Sequence, residues 1–117
     1  MADPDRLVTQ FADCAIAWGY CHASARSEVA DTVLPDLNAL ALALKEATPD
    51  WCERLHNLMT DHPNPWVKHC AAALLLKSHP DAAIVALEML SAGDGMWALS
   101  SQAVLGAYRS GFKLNAP

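Results

Sequence analysis

Cations and charged residues are scarce in this chain of 117 residues. Charged residues make up 18% of it, and eight Lys and Arg stand against thirteen Asp and Glu, which gives a formal net charge of −5. A general nucleic-acid binder needs a basic patch that releases counterions from phosphates, so we expect no binding to nucleic acid. The hydrophobic fraction of 53% excludes a disordered chain and is enough for one domain with its own core.

Long apolar runs are also missing. The richest stretch, "CAAALLLK", falls far short of the ~20 apolar residues that a membrane span requires. The opening "MADPDRLVTQF" has no basic segment followed by an apolar run, so we predict no secretory signal, no membrane association and a cytoplasmic location. In that reducing compartment the cysteines are most simply free thiols that pack as small apolar groups: Cys14, Cys21, Cys52 and Cys70.

Prolines that follow short polar residues divide the sequence into helices. Ala and Leu dominate over β-branched residues, which favours helix, and no segment alternates with period two as a strand would. Proline fits the first turn of a helix, where no amide donor is needed, and it stands in that position in the pairs Asp3-Pro4, Thr48-Pro49, Asn64-Pro65 and His79-Pro80. Six helices are predicted, over residues 4 to 20 or 22, 27–47, 49–60, 65–78, 80–92 and 95 or 96 to 109.

Two details of these helices depend on single residues. Pro35 lies inside the second helix, so either a new helix begins there or a long helix kinks. Gly93 is a typical left-handed stop for the fifth helix. In that helix the apolar spacing predicts an inward stripe of Ile84, Leu87, Met89 and Leu90.

An internal repeat joins the last four predicted helices into two hairpins. A shift of 31 residues aligns Pro49-Asp50 with Pro80-Asp81, Trp66 with Trp97, and Leu74 with Leu105. A period in this range is typical of helical pairs that stack and share a core. We therefore interpret the chain as one domain over residues 1–117, with an N-terminal helical pair (1–47), two hairpin repeats (48–78 and 79–111) and a short tail (112–117).

The segment "DHPNPWVKHCAAALLL", residues 61–76, resembles a HEAT or armadillo-type unit, with an Asp-x-Pro turn, Val-Lys, two small residues and a leucine. More broadly, the order of a variable helical pair, this segment and "HPDAAIVALEMLSAGDG" resembles a family of small bacterial proteins of unknown function with an armadillo-like fold. The resemblance implies an all-α fold, a right-handed stack of antiparallel helical hairpins with about six helices. It brings no catalytic residues, and we expect no enzyme activity and no cofactor.

A metal or thiol site is the alternative function that the residues suggest. Cys52 and His56 stand one helical turn apart, and His69 with Cys70 could approach from the partner helix to complete a tetrahedral zinc site. However, neighbouring residues on a helix point about 100° apart, so His69 and Cys70 would not readily share one ion. No C-x2-C pair is present. Core packing is the preferred interpretation, and no metal is predicted.

The preferred function is a non-enzymatic protein–protein interaction domain, with an immunity or antitoxin-like protein as its specific form. Residues 1–36 carry six acids against two arginines, a net of −4, which would steer a basic toxin towards this part of the chain. Trp66 and Trp97 either pack over their turns or, if exposed, anchor a partner. The predicted partner-binding residues are Asp13, Glu28, Asp31, Asp36, Trp66, His69 and Trp97.

Overall fold

A computed structural model describes the backbone of residues 3–23 and 27–110 and the side chains of residues 3–21 and 35–110. This part of the chain contains six α-helices and no strand, which confirms the predicted all-α fold. The helices are α1 (Pro4–Ala23), α2 (Ser27–Ala47), α3 (Trp51–Asp61), α4 (Pro65–Leu75), α5 (Pro80–Ser91) and α6 (Met96–Arg109). None of them is both long and apolar enough to cross a bilayer. The predicted tail, 112–117, lies outside the described residues.

The helix starts follow the capping chemistry of the sequence. Pro65 opens α4, and the Asn64 side chain accepts a hydrogen bond of 2.9 Å from the backbone N–H of Trp66. The start of α3 differs from the prediction by two residues, because Thr48 and Asp50 hydrogen-bond to each other across a turn before the helix begins at Trp51. A side-chain bond thus caps the start of α4, whereas α5 and α6 begin without one.

Pro35 and Gly93 behave differently from simple helix breakers. Pro35 lies within one continuous helix, α2, so it does not split the segment. The prediction that Gly93 stops α5 in a left-handed conformation is wrong. The helix ends at Ser91, its C-cap Ala92 is right-handed (φ −79°, ψ −9°), and Gly93 does not have the positive φ of a left-handed residue. The Gly93 N–H donates to the Leu90 carbonyl at 3.1 Å.

The helices pack as three antiparallel hairpins, α1 with α2, α3 with α4, and α5 with α6. α4 also packs against α1, α5 and α6, while α3 contacts α2 and α5. Two layers result, α1/α4/α6 and α2/α3/α5. The first helix of the N-terminal pair, α1, therefore lies in the same layer as α4 and α6, the second helices of the two repeats. The N-terminal pair is thus inverted relative to the two repeats.

The core is built mainly around α4. Val67, Ala71, Ala72 and Leu75 are fully buried, and the two alanines allow the neighbouring helices to approach closely. The prediction that Met89 faces inward is wrong, since its side chain is 74% exposed. Helix residues that are two positions apart in sequence point about 200° apart, so the burial of Leu87 directs Met89 to the surface.

Candidate functional site

Four aromatic rings from three helices form a cluster in the α1/α4/α6 layer. Trp66 of α4 lies at its centre and makes edge-to-face contacts with Trp18 of α1, at 5.4 Å between ring centroids, and with Trp97 of α6, at 6.4 Å. His69, one turn along α4, stacks on Trp18 with an interplanar angle of 5°. The repeat-related tryptophans thus touch each other, and the cluster links all three hairpins.

Glycines make room for the two repeat-related tryptophans. Gly19 is buried in α1 directly against the Trp66 ring, and a Cβ atom at this position would overlap that ring. A Cβ atom at Gly95, before α6, would overlap the Trp97 ring in the same way. Both indoles therefore sit where a neighbouring backbone has no side chain, which sets the separation of the helices around them.

His69 is held by a buried hydrogen bond as well as by stacking. Its Nδ1 lies 2.9 Å from the Ser101 hydroxyl oxygen of α6, and Ser101 is fully buried. His69 and Trp66 are themselves only 4% and 7% exposed. Other side chains of this protein cover Trp66 and His69, so these two residues lie beneath the surface and support it. Trp97 is half-buried and reaches the surface.

A groove lies above this cluster, and we call it the α1/α6 groove. It has a volume of about 340 Å³, and Trp18, His69, Met96, Leu99 and Val104 are among the residues that line it. Met96 is 40% exposed and Leu99 57% exposed. Sequence reasoning missed Met96 and Leu99, although one signal was available: Leu99 lies off the stripe of α6 whose buried members are Ala98, Ser101 and Leu105.

The structure describes the side chains of two of the four predicted acidic residues. Asp13 of α1 and Asp36 of α2 are exposed, whereas the side chains of Glu28 and Asp31 lie outside the described residues. Burial and then the negative charge of Asp36 raise the pKa of the Cys14 thiol, which places Asp36 near the residue that follows Asp13. Two of the four predicted carboxylates are therefore available to a partner on the N-terminal hairpin.

The residues of the alternative metal or thiol site, Cys52, His56, His69 and Cys70, have different surroundings in the described part of the chain. Within residues 3–23 and 27–110, side chains whose positions are described bring no three His, Cys, Asp or Glu close enough to hold an ion. His69 is bonded to Ser101, and His56 is exposed on α3. Burial, then the charge of Cys14, raises the pKa of the Cys70 thiol to about 12, which disfavours the thiolate that nucleophilic or metal chemistry requires.

Comparison of the chain with protein-family models, with curated proteins and with solved structures finds no match. The class of the protein is therefore defined by its own fold, an all-α stack of helical hairpins. Its most distinctive surface is the α1/α6 groove over a buried aromatic cluster.

Proposed function

We propose that this chain is a non-enzymatic protein-interaction domain and that the α1/α6 groove is its binding surface. The observation that supports this most is the exposure of Met96 and Leu99 beside the half-buried Trp18 in the lining of the groove. Exposed apolar patches typically mark interaction sites, and tryptophan is enriched among the residues that contribute most to binding. A partner side chain that enters the groove would displace water from these three side chains.

The buried layer under the groove makes this surface rigid before a partner arrives. Trp66 contacts both indoles at the surface, and the bond between His69 and Ser101 ties α4 to α6. A pre-organised surface loses less side-chain entropy on binding, so more of the apolar contact appears as affinity. In this proposal Trp66 and His69 act as supports, and Trp97 is a contact residue.

The proposed partner is a basic protein, and an immunity or antitoxin-like role in the cytoplasm is the specific form of the proposal. Exposed Asp13 and Asp36 belong to the segment 1–36, whose net charge is −4. Such a segment accelerates the approach of a cationic surface, for example that of a nuclease. The resemblance of residues 61–76 to armadillo-type units of small bacterial proteins agrees with a binding role.

Affinity purification from the native host tests the binding surface. The wild-type chain is compared with Leu99→Asp in the groove and with Leu42→Asp on α2, a matched control because the two leucines are 57% and 56% exposed. We expect the control to retain the partner and Leu99→Asp to weaken binding at least about tenfold, since it removes buried apolar area and adds a charge. If no protein is retained by the wild type, or both variants bind equally, the proposed surface is wrong.

The immunity role needs a separate test. The gene beside this one is expressed alone and together with this chain, and growth of the host is measured. We expect growth arrest that the wild-type chain relieves, and the double charge reversal Asp13→Lys with Asp36→Lys to slow association at low salt. If the neighbouring gene product is harmless, or if rescue does not depend on binding, the toxin-blocking role is wrong. The proposed interaction domain would then still be tested separately by the affinity purification.

A further inference from the structure

A second groove lies in the other helix layer, between α3 and α5, and we call it the α3/α5 groove. Its volume is about 590 Å³, and its principal lining residues are Met59, Thr60, Lys68, Val85, Met89 and Leu90. Val85 is 57% and Met89 74% exposed, so the apolar wall formed by α5 stands open to solvent. None of these side chains takes part in the α1/α6 groove.

The charged residues around this groove differ in sign from one end to the other. α4 follows α3 after a short turn and runs back along it, so half-buried Lys68, near the start of α4, lies at the end of the groove where α3 finishes. Glu53 and Asp81 are exposed in the first turns of α3 and α5, so they stand just outside the lining residues, beyond the opposite end of the groove. Among the described residues these three groups form no ion pairs.

We propose that the α3/α5 groove binds an amphipathic helix of a partner protein, with acidic residues in the first turn of that helix and basic residues in its last turn. The acidic turn pairs with Lys68, and the basic turn pairs with Glu53 and Asp81. This charge order is also the one that a helix dipole favours within the bound helix. The bound helix therefore runs antiparallel to α3 and α5.

The dimensions and openness of the groove favour a helix over a small ligand. Its α5 wall extends over residues 82–90, which is about 12 Å of helix and holds apolar anchors at i, i+3 or i+4, and i+7 of a bound helix. Small-molecule sites enclose most of their ligand, whereas Val85 and Met89 remain largely exposed here. Flexible methionine side chains adapt to apolar anchors of different shapes.

Two synthetic peptides, each about 16 residues long, test this proposal by fluorescence anisotropy with the full chain. Both carry leucines along one face and the same hydrocarbon staple on the other. One has glutamates in the first turn and lysines in the last, and the second has these charges exchanged. We expect the first peptide to bind at least about tenfold more tightly than the second, because exchange places like charges at both ends of the groove.

Three variants locate the binding. Lys68→Glu should remove the preference between the peptides, and Met89→Asp should weaken the first peptide about tenfold, while the matched surface change Leu42→Asp leaves its affinity unchanged. Equal affinity for the two peptides, no effect of Met89→Asp, or no binding of either peptide up to about 1 mM would overturn the proposal. Because Leu99→Asp probes the other groove, this failure is distinguishable from failure of the proposed function.

Discussion

Gly19→Ala is the substitution that most directly tests the packing of the aromatic cluster. Gly19 lies inside α1, where alanine ordinarily stabilises a helix by about 0.5–1 kcal/mol because it restricts the unfolded chain and improves helix propensity. Here the added methyl group would overlap the buried Trp66 ring. Inserting a methyl group into a filled core costs about 1–3 kcal/mol, so the sign of the effect should reverse.

Gly106→Ala is the matched control for this prediction. Gly106 also lies inside a helix, α6, but no atom lies within 4 Å of the position that its Cβ would take. The same substitution should therefore stabilise the chain by about 0.5–1 kcal/mol at Gly106 and destabilise it at Gly19. The two variants should differ by the cost of the overlap, about 1–3 kcal/mol, or roughly 5–15 °C in Tm for a domain of this size.

Thermal and urea unfolding, followed by far-UV circular dichroism, measure this difference without relying on tryptophan fluorescence. Near-UV circular dichroism should also change for Gly19→Ala and not for Gly106→Ala, because only the first displaces an indole ring. If Gly19→Ala stabilises the chain as much as Gly106→Ala, Trp66 does not pack on α1 as described. The support of the α1/α6 groove by Trp66 would then be wrong too.

Two further predictions concern a thiol and a carboxylate. Iodoacetamide at about pH 8 should modify Cys21 well before Cys70, because burial raises the pKa of Cys70 to about 12; equal labelling rates by mass spectrometry would contradict this. Hydrogen bonds from Thr48 and then Arg54 hold the pKa of Asp50 below its ordinary 3.8. The stability that these bonds contribute is therefore fully present above pH 3.8, and it is lost as the pH falls through the lowered pKa. Arg54→Gln should therefore be less stable than wild type at about pH 5 in urea unfolding, and the difference should shrink as the pH falls below 3.8; a constant difference would refute this.

The two grooves arise from the same architectural feature, the stacking of hairpins in two layers. One layer places α1 and α6 on either side of α4, and the other places α5 beside α3. The first groove lies over an aromatic cluster, whereas the second is lined by Met59 and Met89 and has Lys68 at one end. If both proposals hold, the chain could contact two segments of a partner, and binding of each would strengthen the other through effective concentration.

Much of the helical pattern could be predicted from sequence because its causes are local. Asn64 and Pro65 define the start of α4 within three residues of chain. The repeat relation between Trp66 and Trp97 likewise predicted two equivalent hairpins. These local rules were insufficient at two residues. The apolar spacing of α5 predicts that Met89 is buried, but it is exposed, and the glycine at position 93 predicts a left-handed helix stop, which is not formed.

The candidate site could be predicted only in part. Sequence reasoning selected Trp66, His69 and Trp97, and the structure brings these three together. It did not select Trp18 as a stacking partner of His69, nor Leu99 as an exposed wall. Those relations depend on how α1 and α6 approach α4, and no spacing within a single helix contains that information.

The sequence by itself determined six helices, their order and the pairing of the last four, because capping bonds, proline geometry and apolar periodicity act within a few residues. Only the tertiary structure decided which side chains from different helices contact and bury one another. The bond between His69 and Ser101 joins residues 32 apart, and the ion pair of Arg54 with Asp5 joins residues 49 apart. Such contacts form only when whole helices dock, so the burial of Trp66 and the two open grooves are properties of the assembled stack.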